Sequence, residues 1–233
     1  MRLKRALVLL TFNEIEALPK LFDRIPLTAA DEVFAVDGGS KDGTVEYLRS
    51  KGVRVVSQPR RGRGCAFQVA LDSTDAEVLC YYSPDGNEDP DDIPKIFRKL
   101  EDGGYDLVVA SRMCEGAHNE EDEETVKLRK WVNLAFTFLA NAIWNRGPYV
   151  TDTINGFRAV RADSLRRCEC KVDGFVIEYL MSMRMMKLGM RVGEIATYES
   201  PRLGGQSTAH SWPTGVEFTK HLVREILTGR RVS

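Results

Sequence analysis

The chain has 233 residues, 43% of them hydrophobic and 29% charged, enough for one large domain or two small ones with a sizeable core. A formal net charge of −1 leaves no electrostatic footprint for nucleic acid, and no nucleic-acid partner is expected. The five cysteines (Cys65, Cys80, Cys114, Cys168 and Cys170) are odd in number and match no zinc spacing, so they read as reduced thiols of a cytoplasmic protein.

In chain order, the basic N-terminus leads into an apolar run at 6–10. That run is too short for the apolar core of a secretory signal and precedes no cleavage site. Residues 6–11 therefore read as a first strand, followed by strands at 32–37, 53–57, 77–83 and 105–110. Their apolar runs are continuous, as in parallel strands covered on both faces. Between them lie helices at 43–50, capped by Asp42 and ended by Gly52, at 64–73 and at 92–101. This β-α-β-α order predicts an α/β sheet.

The second half changes character. Residues 115–124 are nearly all polar or acidic and read as a solvated loop. Residues 127–146 form a predicted helix whose Leu128, Trp131, Val132, Ala135, Leu139, Ala142 and Ile143 share one face, expected to pack inward. A helix at 174–188, with Phe175, Tyr179, Leu180 and Met183 inward, a strand at 191–198 and an amphipathic helix at 212–227 follow. The longest apolar stretch without a charge, 131–144, falls short of the ~20 residues a spanning helix needs, so the chain is expected not to cross a membrane by itself. The apolar breadth of 131–144, together with 223–231 and its Arg224, Arg230 and Arg231, would suit peripheral docking on an anionic bilayer.

Ligands of open α/β sheets bind beyond the carboxyl ends of the strands. Four segments occupy those places: Thr11-Phe12-Asn13-Glu14, Asp37-Gly38-Gly39-Ser40-Lys41-Asp42-Gly43-Thr44, Ser83-Pro84-Asp85-Gly86-Asn87-Glu88 and Ser111-Arg112. Their carboxylates can hold a ribose hydroxyl pair or a hard divalent ion. Neither G-x-G-x-x-G nor G-x-x-x-x-G-K-[ST] is present, so a bound diphosphate would be neutralised by a metal and arginines rather than by a glycine loop.

The first two segments, in this order and spacing, resemble the opening of family-2 glycosyltransferases, roughly P-x-x-N-E followed by V-D-D-x-S-x-D-G-T. The resemblance narrows toward the dolichyl- and polyprenyl-phosphate sugar synthases. Arg61-Gly62-Arg63-Gly64 stands where those enzymes have a G-K-G turn, and Ser83-Pro84-Asp85-Gly86-Asn87 where they have D-x-D-x-Q/N. Thr151-Asp152-Thr153-Ile154-Asn155-Gly156-Phe157-Arg158 resembles D-x-x-x-G-F-R. Gly174-Phe175-Val176-Ile177-Glu178 resembles G-(Y/F)-x-x-E, and Arg202-Leu203-Gly204-Gly205-Gln206-Ser207 resembles R-x-G-x-S.

The resemblance implies a GT-A fold over residues 1–233, a Rossmann-like, mostly parallel sheet flanked by helices. Residues 1–112 would be the nucleotide-sugar half, and 113–233 a helix-and-strand extension on the acceptor side. It further implies a GDP- or UDP-hexose donor, with Thr11, Phe12, Glu14, Asp37, Gly39, Ser40, Arg63 and Ser207 binding substrate. Asp85, Asn87 and Ser83 would hold Mg²⁺ or Mn²⁺. Arg112, Arg129 and Arg202 would bind acceptor phosphate or donor diphosphate, with Asp152 and Glu178 at the reaction centre. Mannose or glucose would pass, with inversion, to a polyprenyl phosphate. Two positions depart from the pattern: Ser83 replaces the first Asp of D-x-D, and Thr208 replaces a frequent Lys. A soluble hydroxyl acceptor is the first alternative, and a non-catalytic nucleotide-sugar-binding module, suggested by Ser83, is the second.

Overall fold

The computed structural model describes residues 2–123, 127–204, 211–229 and 232. Its sheet has seven strands: β1 (Arg5–Thr11), β2 (Glu32–Asp37), β3 (Arg54–Ser57), β4 (Val78–Tyr82), β5 (Leu107–Ser111), β6 (Arg158–Arg161) and β7 (Val192–Ala196). They lie in the order β3-β2-β1-β4-β6-β5-β7. Only β6 runs against the rest, antiparallel to β4 and β5. The other pairs are parallel, with Leu9 of β1 opposite both Ala35 and Tyr82. The carboxyl ends of β1, β2, β4, β5 and β7 therefore share one edge.

The continuous apolar strands follow from two cores. Successive side chains of a strand point to opposite faces. Val8 and Leu10 join Phe67, Tyr81 and Met183 on one side, while Leu7 and Leu9 join Tyr82, Ile96 and Phe97 on the other. The first side is covered by α3 (Arg63–Asp72) and α7 (Ile177–Lys187), the second by α1 (Leu18–Leu21) and α4 (Ile93–Gly103). The remaining helices are α2 (Thr44–Ser50), α5 (Leu128–Trp144), α6 (Ala162–Cys168) and α8 (Ser211–Leu227). At α2 the N-cap position is Gly43 rather than Asp42, but the Asp42 carboxylate just before it accepts the Thr44 N–H at 3.0 Å and its hydroxyl at 2.6 Å, satisfying the first helical donor.

Three expectations from sequence need correction. β6, α6 and the short α1 carry weak apolar patterns and were not anticipated. β6 reads Arg-Ala-Val-Arg, yet Arg158 is fully buried. Its guanidinium donates to the Asn155 and Glu178 carbonyls, each at 2.8 Å, and to Ser182 Oγ at 3.2 Å, so its polar atoms are satisfied inside the core.

α5 is turned over relative to the expected packing. Leu128, Trp131 and Phe138 are 68%, 71% and 60% exposed, and Val132, Leu139 and Ile143 are exposed too. The buried stripe is Thr137, Ala140 and Asn141. Asn141 exchanges hydrogen bonds with the backbone of Val150 (2.8 and 3.0 Å), and the hydroxyls of Thr137 and Thr153 meet at 2.8 Å. Periodicity marks a helix face but cannot tell which side the rest of the protein occupies.

The acidic stretch is likewise not a simple solvated loop. Glu120–Glu123 forms a 3₁₀ turn, and Asn119 and Glu121 are buried. Glu121 takes Arg129 Nε at 2.5 Å and the Lys130 N–H at 2.9 Å, while Glu120 pairs with Arg129 and Asp122 with Lys130. Acidic groups at a helix N-terminus are favoured by its dipole, so the turn clamps the start of α5.

Candidate functional site

At the ends of β1 and β2, Asp37 builds a tight turn. Its carboxylate accepts the Gly39 and Ser40 N–H groups (2.8 and 2.9 Å), the Ser40 hydroxyl (2.5 Å) and the Thr11 hydroxyl (3.3 Å). Thr11, Asp37, Gly39 and Ser40 thus stand together. The Gly39 backbone has φ +92°, which an L side chain rarely adopts. Phe12 lies beneath the Arg61 guanidinium, 5.1 Å from ring centre to Cζ.

Glu14 stands nearby. Burial, reinforced by Asp85 and opposed by Arg202, pushes its carboxyl up to about 8. A carboxyl raised on folding binds its proton more tightly in the native state, so its stabilisation is complete below the unfolded value near 4.5 and is lost as pH rises toward 8. The ligand-free protein should therefore lose melting temperature between about pH 5 and 8. Glu14→Gln should reduce that fall without abolishing it, because burial also pushes the Glu88 carboxyl up to about 8; it should raise Tm at pH 9 by roughly 2–4 °C and leave it unchanged at pH 4. Parallel curves for the two proteins would show that Glu14 contributes nothing to the fall and leave it to Glu88.

At the end of β4, Gly86 (φ +88°) makes the turn on which residues 200–203 pack, since a Cβ there would overlap Leu203. Leu203 N–H donates to the Asp85 carbonyl and Ser200 N–H to the Asn87 carbonyl, each at 2.9 Å. This lays Arg202 beside Asp85, Nη2 to Oδ2 3.1 Å. The Asn87 amide nitrogen donates to the Ser200 carbonyl at 2.6 Å, and the Glu88 carboxylate accepts the Ser83 N–H at 2.7 Å. The Ser83 hydroxyl is met by Arg63 Nη1 at 3.2 Å, and Arg63 Nε pairs with the buried Glu178.

The end of β5 presents Arg112. Its Nε and Nη2 fork onto Asp152 at 2.8 and 3.3 Å, and Nη1 reaches Glu199 at 3.2 Å. Burial works to raise the Asp152 carboxyl, but Arg112 and the N–H groups of Ile154 and Asn155 hold it below its ordinary value. Asp152 is thus an ionised anchor behind Arg112, whose largely buried side chain forms part of the cleft wall.

Arg63, Ser83, Asp85, Asn87, Arg112, Arg129, Glu178 and Arg202 all line one cleft of about 1250 Å³. From this polar end the cleft continues between α5 and α8, past Leu128, Val132, Val216, Val223 and Leu227. The Asp37 turn and Asp152 are not part of its lining. Ser207 and the rest of 205–210, with Thr208, lie outside the described residues, as do Arg230 and Arg231.

The glycosyl transferase family 2 model matches residues 6–168. The chain belongs to glycosyl transferase family 2. Among similar curated proteins is a dolichyl-phosphate hexose transferase of Haloferax volcanii, 31% identical over 97% of this chain and 95% of that protein. An undecaprenyl-phosphate mannosyltransferase of Micrococcus luteus is 29% identical, covering 83% of each chain. Glycosyltransferase AglJ of Haloferax volcanii is 28% identical over 85% of this chain, which spans 63% of that relative's length. These relatives make this family-2 glycosyltransferase similar to the polyprenyl-phosphate sugar synthases.

The fold resembles glucosyl-3-phosphoglycerate synthase of Mycobacterium tuberculosis. A phosphoglyceric acid complex of that enzyme matches with TM-score 0.74 and 21% identity, over 95% of this chain and 79% of that one. Its complex with Mn²⁺, uridine diphosphate and glucosyl-3-phosphoglycerate matches with TM-score 0.72 and 19% identity, over 99% and 81%. The fold of this family-2 glycosyltransferase is accordingly GT-A, with the mostly parallel sheet expected from sequence.

Asp85 is the only carboxylate among the expected metal ligands Ser83, Asp85 and Asn87. Among the described residues no group of three or more His, Cys, Asp or Glu is placed to hold a metal. One carboxylate can still suit an ion of the Mg²⁺ type, which completes its shell with water and substrate phosphates.

Sequence reading missed Glu199, which bonds both Arg112 and the Glu120 N–H (3.1 Å). Glu199 immediately follows the expected strand 191–198, so extending the strand-end reading to that strand would have found it.

Proposed function

We propose that the protein is an inverting hexosyltransferase moving mannose or glucose from GDP- or UDP-hexose to a polyprenyl phosphate of the dolichyl type. The observation carrying this reading is the continuity of the cleft: an arginine-rich polar end opens directly into an apolar trough between two helices. A phosphorylated headgroup and an isoprenoid tail need these two chemistries side by side.

In this reading Thr11, Phe12, Asp37, Gly39 and Ser40 shape the nucleoside pocket, with Glu14 at its border. Asp85, with Asn87 and Ser83 beside it, would hold Mg²⁺ or Mn²⁺, which when bound supplies charge to the leaving diphosphate. Arg112, Arg129 and Arg202 grip phosphate oxygens, a task that suits the guanidinium fork. Ser207 would also bind substrate. An acceptor phosphate oxygen forms its bond to the anomeric carbon as the bond to the donor diphosphate breaks on the opposite face. That oxygen is already anionic near neutral pH, so no general base is required. Asp152, held ionised against Arg112, orients that arginine, and Glu178 orients Arg63.

The exposed faces of α5 and α8 suit peripheral contact with an anionic membrane surface, on which a lipid acceptor resides. Val223 lines the trough and is half exposed. Val223→Glu is expected to raise KM for polyprenyl phosphate by about tenfold or more through a charge in an apolar path, and to weaken co-sedimentation with anionic vesicles. Donor Kd should stay unchanged.

Turnover assayed with polyprenyl phosphate and with short, soluble phosphorylated or hydroxyl acceptors tests the whole reading. Lipid dependence supports it. Equal turnover on soluble acceptors favours the soluble-acceptor alternative, and donor binding without transfer to any acceptor favours a binding module.

A further inference from the structure

Ser83 puts a neutral hydroxyl where the resembled pattern has its first metal-binding carboxylate, and the structure places a guanidinium against it. Arg63 reaches Ser83 with Nη1 at 3.2 Å and holds Glu178 with Nε.

This placement is built by glycines. Gly62 and Gly64 flank Arg63, and a Cβ on either would overlap a backbone carbonyl, that of Asp173 or of Val172. Their absence of side chains lets the 172–173 backbone close on the turn, with Gly64 N–H donating to the Asp173 carbonyl at 2.9 Å. A Cβ on Gly156 would overlap Arg63 Nη2, so this third glycine lets the guanidinium come close against the chain there. Burial opposes the charge of Arg63, but Glu178, Glu88 and Asp85 keep it charged. Arg63, Ser83 and Asp85 line the same end of the cleft.

We propose that Arg63 is a fixed cation that neutralises the donor diphosphate from the Ser83 side, so that nucleoside diphosphate binds this chain without depending on a divalent ion. The inference rests on the donor-site reading above. A carboxylate at position 83 would repel a diphosphate unless an ion stood between them. Serine removes that repulsion and Arg63 adds attraction, and both changes lower the demand on a metal held by Asp85 alone. An arginine also presents two N–H groups to phosphate oxygens, which lets it take over part of an ion's bridging role.

The test is calorimetric titration of the full chain with GDP and with UDP, each in Mn²⁺ and in excess EDTA. The recognised nucleotide is expected to bind in EDTA within about tenfold of its Kd in Mn²⁺. Ser83→Asp draws Arg63 into an ion pair at a position it already contacts, and should fold. It is expected to weaken binding in EDTA by more than about tenfold while binding in Mn²⁺ persists. Arg63→Met, with its melting curve as a folding control, should show the same selective loss in EDTA. A strict metal requirement in the unaltered protein, or EDTA binding unchanged by Ser83→Asp, would overturn the proposal. If neither nucleotide binds in either buffer, the donor-site reading itself is wrong and the proposal falls with it.

Discussion

Arg112→Lys is expected to lower turnover by about 10²–10³-fold while the protein stays folded. Arg112 follows β5 and lines the cleft, and its fork is fixed by two buried carboxylates, Asp152 and Glu199. Burial alone would discourage its charge, but those two partners outweigh it and keep the guanidinium cationic. Lysine preserves the charge, so neither carboxylate is left uncompensated. It cannot hold Asp152 with two nitrogens and also present a planar edge to phosphate. The loss should therefore appear in kcat more than in donor Kd, because an oriented cation matters most where charge develops in the transition state. Arg112→Ala is the contrasting variant. It strands Asp152 as a buried, unpaired carboxylate and should cost about 3–5 kcal/mol of stability as well. Steady-state kinetics beside thermal melts separate the two effects. Full activity in Arg112→Lys would mean that any cation at this place suffices, or that phosphate binds elsewhere in the cleft.

Much of this site was readable because strand ends announce themselves. Continuous apolar runs located β1, β2, β4 and β5, and the residues just beyond them converge on one edge. Arg202 was found by motif, and the structure brings it to Asp85 from more than a hundred residues away. What the sequence hid has physical causes. β6 is short and flanked by arginines, and it is a core strand only because carbonyls from the 153–155 segment and α7 satisfy Arg158. The outward turn of α5 could not be seen because its apolar periodicity is equally good for a core or for a trough. The deciding residues, Thr137 and Asn141, look unremarkable until their partners at Thr153 and Val150 are known. The acidic run 115–124 looked solvated because its cations, Arg129 and Lys130, belong to the following helix. Arg63 was assigned to substrate, but its contact with Ser83 joins two segments whose chemistry makes sense only as a pair.

Glu225→Ala should produce a large loss of stability, about 3–5 kcal/mol. Glu225 is fully buried in α8, although it sits in the amphipathic pattern of a surface helix. Its carboxylate takes Arg184 Nε and Nη2 at 2.9 and 2.7 Å and Lys187 Nζ at 2.6 Å, both from α7. Removing the carboxylate leaves two buried cations with less than their full set of acceptors. Arg184 keeps the carbonyls of Cys168 and Glu169, and Lys187 keeps the backbone carbonyl of residue 225 and the hydroxyl of Thr228, so the cost is large without being prohibitive. At roughly 2–4 °C per kcal/mol for a chain of this size, Tm should fall by about 6–20 °C. The same bonds fasten α8 to α7, and α8 is one wall of the apolar trough. Below its melting temperature, Glu225→Ala should therefore lose transfer to a lipid acceptor more than it loses donor binding, whose residues lie on the sheet edge and α3. Glu225→Gln retains one acceptor oxygen and should fall between the two proteins in both respects. A variant that melts early yet keeps full lipid-dependent turnover would separate the trough from the acceptor and shift the acceptor site to the polar end of the cleft alone.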